Sequence, residues 1–133
     1  MPHLTIEYSA NLERDVDMTT LCGVAAEALR GLGLFPKAGI RVRAYGANHW
    51  SIADDRGDYA FLDMCLRIGK GRSDAEKTAC VETLYAALES WLEPRLSRPF
   101  ALSLELAEIN YPFAEKRLNT IRDALATKRG ENV

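Results

Sequence analysis

At 133 residues, with 47% hydrophobic and 27% charged side chains, the chain has the size and composition of one domain, residues 1–133, around one core. Its net charge of −2 gives no global attraction to nucleic acid or to anionic lipid, so neither is expected as a partner. No run approaches the roughly 18 apolar residues that span a bilayer, the start lacks a basic and apolar leader, and Cys22, Cys65 and Cys80 are widely spaced without a CxxC pair, as in the reduced core cysteines of a cytoplasmic protein.

Pro2 follows Met1 and opens the strand-like segment Leu4-Thr5-Ile6-Glu7-Tyr8. Two readings are open for it. A first strand position tolerates a residue without an N–H. Alternatively, removal of Met1 would leave Pro2 as a free secondary amine. An α-amino group ordinarily has a pKa of roughly 7.7–8.0, and burial or a nearby cation lowers it, into the range of a proton-transfer base near neutral pH.

The next element is a helix near Asp17–Leu32, where Met18, Leu21, Cys22, Ala25, Leu29 and Leu32 follow helical spacing, with Gly31, Gly33 and Pro36 ending it. A strand near Ile40–Tyr45 follows. Its Arg41 and Arg43 leave one face, either as surface charges opposite Glu7 or Glu105 or as carboxylate anchors. Residues 46–58 predict a short arm strand at Trp50 and Ile52, then a turn, and an exposed arm with a Trp suits a subunit contact. Asp54, Asp55 and Asp58 lack calcium-loop spacing and read as a solvated turn, so no metal is expected. His3 and His49 lack a partner spacing and read as surface or interface residues.

The plan then repeats. A strand near Phe61–Ile68 leads through Gly69-Lys70-Gly71-Arg72-Ser73 into a helix near Asp74–Leu92, with Ser73 and Glu76 as a capping box and Val81, Leu84, Leu88, Trp91 and Leu92 on its apolar face. The glycine turn is either a plain strand-to-helix connection or an anion site, in which free helix N–H groups and the planar Arg72 fork meet a carboxylate. It is not a Walker P-loop, because the GxxxxGK[ST] spacing is missing. A strand near Phe100–Leu106 follows, then a short helix around Leu118, Ile121 and Leu125, with Lys128–Val133 expected to fray.

The halves, about 2–46 and 60–107, are each a β-α-β unit whose two strands should run parallel. In all four strands apolar and polar residues alternate, so one face is buried and the other is polar. The fold class is therefore α+β (α/β): one four-stranded sheet with two helices on one face, plus the arm strand and the C-terminal helix. Glu7, Arg41, Arg43, Asp63, Arg67 and Glu105 occupy the second face, which is expected to pair inside an oligomer.

Five segments together resemble the 5-carboxymethyl-2-hydroxymuconate Δ-isomerase family of the tautomerase superfamily, whose simplest member is 4-oxalocrotonate tautomerase. They are residues 1–8, Phe35-Pro-Lys-Ala-Gly-Ile-Arg-Val-Arg43, Ala53-Asp54, Asp58-Tyr-Ala-Phe61 and Leu66-Arg-Ile-Gly-Lys-Gly-Arg-Ser73, and Ala101-Leu-Ser-Leu-Glu105 fits as well. The resemblance implies a homotrimer, cleavage of Met1, Pro2 as catalytic base, and Arg41 and Arg72 as the functional arginines, with Arg43 a further substrate-binding candidate. It implies a small di- or tricarboxylate substrate from aromatic-acid catabolism and neither cofactor nor metal. Two departures are Asp63 before Met64, where the family often has His, and Leu118-Asn-Thr-Ile121, where it typically reads Asn-Asn-Val-His. The competing expectations are a hydratase, dehalogenase or decarboxylase on the same scaffold, with Glu105, Glu108 or Glu115 activating water, and a non-catalytic trimeric binding protein.

Overall fold

The computed structural model describes residues 1–129. In chain order these form β1 (His3–Ser9), α1 (Met18–Gly31), β2 (Arg41–Ala47), β3 (Ala60–Ile68), α2 (Asp74–Leu92), β4 (Phe100–Glu108) and α3 (Thr120–Arg129). β1 pairs with β2 in parallel and β3 with β4 in parallel, as two β-α-β crossovers require. The halves join through an antiparallel β1–β3 ladder, giving the strand order β2-β1-β3-β4.

Local chemistry sets the helix ends. Asp17 accepts the Thr20 N–H at 3.2 Å and caps α1, while Gly33 takes φ +67° just beyond the helix, a conformation that a residue without Cβ adopts freely. At α2, the Ser73 hydroxyl accepts the Glu76 N–H at 3.1 Å and the Glu76 carboxylate accepts the Ser73 N–H at 2.9 Å, the expected capping box. Leu21, Ala25 and Leu29 of α1 and Cys80, Leu84, Leu88 and Leu92 of α2 share one buried cluster with Leu4, Ile6, Leu62, Met64 and Leu66 of the sheet. On the strands the intervening Glu7, Asp63, Arg67, Ser103 and Glu105 are exposed, so the polar second face stands as expected.

The arm departs from expectation. No strand forms at Trp50–Ile52. The Ile52 carbonyl accepts the Asp55 N–H at 2.9 Å, and the Asp55 carboxylate accepts the Ser51 hydroxyl at 2.5 Å and the Ile52 N–H at 2.7 Å. The Asp55 side chain thus takes the Ile52 N–H, a donor a ladder would need. Ala53 and Asp55 have φ of 55° and 56°, which extended backbone excludes. α3 runs to Arg129, two residues into the stretch expected to fray; the rest of that stretch, 130–133, lies outside the described residues. Among the described residues, no helix is long and apolar enough to cross a membrane.

Candidate active site

Strand order decides which residues meet. The antiparallel junction sets the start of β1 beside the end of β3, and the parallel pairs add the start of β2 and the end of β4. One end of the sheet therefore gathers the N-terminus, Arg41, the Gly69–Arg72 turn and the segment after Glu108.

Pro2 is buried there, and its carbonyl accepts the Arg41 N–H at 3.1 Å. Met1 lies against Gly39, where an added Cβ would stand 3.4 Å from Met1 Cα and Cγ. The N-terminal amine is held below its ordinary value, first by burial and then by the charges of Lys116, Arg72 and Arg41. With Met1 in place this amine belongs to Met1, and the Pro2 nitrogen is a tertiary amide without a basic lone pair.

Arg72 is fixed by three contacts. It donates to the Leu34 carbonyl at 3.0 Å and the Gly69 carbonyl at 3.3 Å, and its guanidinium lies 4.7 Å from the Phe35 ring centroid. These orient the fork and leave N–H groups over for a ligand. Arg41 and Arg67 flank His3 on its two neighbouring strands. Burial lowers the His3 pKa, and Arg67, Arg41 and Arg43 lower it further, which favours a neutral imidazole. Arg43 stands one polar position further along β2, opposite Thr5, with Nη1 3.4 Å from His3 Nδ1. It faces His3 and is not among the charges that act on the amine.

Two residues of this cluster, Tyr111 and Lys116, carry no periodic signal in the sequence. The Ile109 N–H donates to the Ile68 carbonyl at 2.7 Å, and Asn119 Nδ2 donates to the Ala38 carbonyl at 3.3 Å. Between these anchors the chain straps across the sheet end. The Tyr111 hydroxyl packs so closely on Gly69 that a Cβ there would overlap it, and Lys116 Nζ lies 5.5 Å from the Tyr111 ring centroid. Met1, His3, Arg67, Tyr111, Glu115 and Lys116 line a cleft of about 210 Å³. The one clue available was topological: whatever follows β4 must leave beside the start of β1.

Among the described residues Arg14, Arg30, Lys77, Arg98 and Arg117 pair with acids, whereas Arg41, Arg67, Arg72 and Lys116 do not. A larger groove of about 470 Å³, lined by Tyr8, Glu13, Asp15 and Asp17, lies at the far end of β1 and is acidic. There burial and a 2.7 Å bond to Glu13 push the Tyr8 hydroxyl up to about 12. Among the described residues no three His, Cys, Asp or Glu side chains gather as a metal site. Asp55 instead closes the arm turn, and Asp58 accepts from Asn11.

Residues 2–125 match the family described as 5-carboxymethyl-2-hydroxymuconate isomerase. The chain belongs to this family. It is 35% identical over 111 residues to the 5-carboxymethyl-2-hydroxymuconate Delta-isomerase of Escherichia coli, covering 83% of this chain and 88% of that one. A crystal structure of a 5-carboxymethyl-2-hydroxymuconate delta-isomerase superposes with a TM-score of 0.85 at 34% identity, covering 94% of this chain and 93% of the other. A fused 4-OT symmetric trimer shares the fold, with a TM-score of 0.65 at 14% identity over 88% of this chain and 95% of that one. The protein is an isomerase with the fold of the tautomerase superfamily.

Proposed function

We propose that the chain is a cofactor-independent isomerase acting on an unsaturated 2-hydroxy or 2-oxo polycarboxylate of the 5-carboxymethyl-2-hydroxymuconate type, in aromatic-acid breakdown in the cytoplasm. Pro2 is its general base once Met1 is removed. The observation that carries this reading is the convergence of Arg41, Arg72 and Lys116, unpaired among the described residues, on the partly buried N-terminal amine next to buried Pro2. Such a site attracts a polyanion and keeps its amine neutral at the pH where a base is needed.

In the reaction the neutral Pro2 nitrogen takes the proton of the substrate enol. The O–H bond breaks, the C2–O bond becomes a carbonyl, and the conjugated double bonds shift along the chain. A new C–H bond forms at a distant carbon with the proton returned by the ammonium. No net oxidation occurs. Arg41 and Arg72 hold carboxylates and favour the negative charge developing on the 2-oxygen. The same cations would also disfavour protonation of the freed Pro2 amine, so binding and base activation share one arrangement. Of the carboxylates considered as water activators, Glu115 lines the cleft, but its Oε2 lies 3.5 Å from Arg117 Nε.

A homotrimer is part of the proposal. Phe113 and Leu118, 88% and 87% exposed, and Trp50, 42% exposed, leave apolar surface that a second and third copy would cover. Light scattering in solution tests it, a monomer mass being the contrary result. The reaction is tested by the ultraviolet absorbance of a 2-hydroxymuconate-type dienol. Decay of the dienol band is expected with the processed protein, and an unchanged band at micromolar enzyme would sink the reading.

A further inference from the structure

The cations around the amine stand on both sides of β1. Arg41 neighbours His3 on β2, whereas Arg67 neighbours it on β3. The β3 side opens into the 210 Å³ cleft, whose rim is completed by Lys116 from the strap. Arg41 and Arg72 do not line that cleft, so the space beside the amine has cations of its own.

The strap holds Lys116 at a defined place. Its two ends are bonded to the Ile68 and Ala38 carbonyls, and Tyr111 is seated on Gly69. The Lys116 ammonium rests over the Tyr111 ring, a contact that orients the charge without neutralising it. Glu115 is the acid on the same cleft. It accepts the backbone N–H of Lys116 at 3.1 Å and lies 3.5 Å from Arg117, leaving the Lys116 ammonium unpaired among the described residues. An acidic chain, net charge −2, thus presents two unpaired cations to one cleft next to its amine.

We propose that Lys116, with Arg67 lining the same cleft, is the anchor for the carboxymethyl carboxylate of the substrate, distinct from the carboxylates held by Arg41 and Arg72. The assignment rests on the isomerase reading of the site.

The test compares the full-length protein with Lys116→Gln and Lys116→Arg on two 2-hydroxymuconate-type dienols that differ only in a carboxymethyl arm. Lys116→Gln is expected to raise KM for the armed substrate by about 10- to 100-fold, the loss of one charge-assisted bond, and to move KM for the armless one by less than about 3-fold. Lys116→Arg should restore most of the preference. Equal losses on both substrates, or no recovery with arginine, would overturn the assignment. Calorimetric titration with propane-1,2,3-tricarboxylate and with glutarate reads the cleft without turnover. If the wild type isomerises neither dienol, the reaction proposed above fails. A tricarboxylate preference that disappears in Lys116→Gln would then still support the anchor, and no preference in the wild type would refute it.

Discussion

The carbonyl of Pro2 accepts the backbone N–H of Arg41 at 3.1 Å, so the proposed base and a proposed substrate anchor are tied through the main chain. Removing the Arg41 side chain leaves that bond intact. Arg41→Ala is therefore expected to keep the fold and raise KM by about 10- to 100-fold through one lost carboxylate contact. Steady-state kinetics on the dienol check it, and an unchanged KM would remove Arg41 from the anchors.

Pro2→Ala separates the base from the scaffold. Pro2 is buried but contributes no N–H, so alanine fits the start of β1 without breaking a ladder bond. The primary amine it leaves after processing differs in basicity and direction from the ring nitrogen. A fall in kcat of at least about 100-fold is expected, the scale of a general-base contribution, with the melting temperature little changed. Intact mass of the wild type should lack Met1. A protein that retains Met1 and still turns over at full rate would refute proline as the base.

The pH profile follows from the amine. In the unprocessed chain burial, Lys116, Arg72 and Arg41 all hold the Met1 amine below its ordinary value, and the Pro2 amine that Met1 removal frees would stand beside the same cations. The neutral form is the active one, so kcat/KM should rise with pH up to that lowered pKa and then level off. Removing a cation restores part of the ordinary basicity. Arg41→Ala should therefore move the acid limb to higher pH, while added salt moves the wild-type limb the same way by screening. Activity that grows as pH falls through this range would point instead to a protonated proline and a lyase-type reaction.

The elements that define the sheet were legible because each has a local cause. Ser73 and Glu76 cap α2 as their spacing predicts, and the alternation from Leu62 to Ile68 sets which side of β3 is buried. Trp50 and Ile52 have the composition of a strand, but the Asp55 carboxylate takes the Ile52 N–H and the Ser51 hydroxyl and closes the segment into a turn. Placing Pro2, Arg41 and Arg72 at one sheet end required the strand order, which no single segment encodes. Lys116 and Tyr111 lie in an aperiodic stretch held by Ile68, Gly69 and Ala38. Those partners become neighbours only after the sheet has formed.

Gly69 offers a probe of the strap. It is buried, and a Cβ there would overlap the Tyr111 hydroxyl. Gly69→Ala should displace Tyr111 and carry Lys116 out of the cleft, reducing kcat/KM by up to about 100-fold, the cost of a shift of about an ångström in a positioned group. Tyr111→Phe removes the overlapping oxygen and leaves ring carbon Cζ at 3.2 Å as the nearest atom. The double variant should recover much of the loss. Failure of Tyr111→Phe to rescue would mean that Gly69 acts through the turn and not through the strap.

Asp15 and Arg98 form a nearly buried ion pair away from the site. Asp15 precedes α1 and accepts Arg98 Nε at 2.9 Å, Arg98 Nη2 at 3.2 Å, the Ser97 N–H at 3.1 Å and the Ser97 hydroxyl at 2.6 Å, which ties the first half to the α2–β4 connection of the second. Both side chains of the pair are 7% exposed. The Arg98 guanidinium, with Ser97, holds the Asp15 carboxyl well below the usual carboxylate range. Because the folded pKa is depressed, the stabilisation is fully present above the unfolded value of roughly 3.9 and is lost as pH falls toward the folded one. Wild-type melting temperature should therefore drop on acidification below about pH 4. Arg98→Met leaves a nearly buried carboxylate without its cation, so it should lower the melting temperature at pH 7 and flatten or reverse the acid slope, protonation now relieving the unpaired charge. Thermal melts from pH 3 to 7 distinguish these cases. An Arg98→Met protein with the wild-type acid slope would show that the pair contributes nothing to acid stability, whatever its geometry.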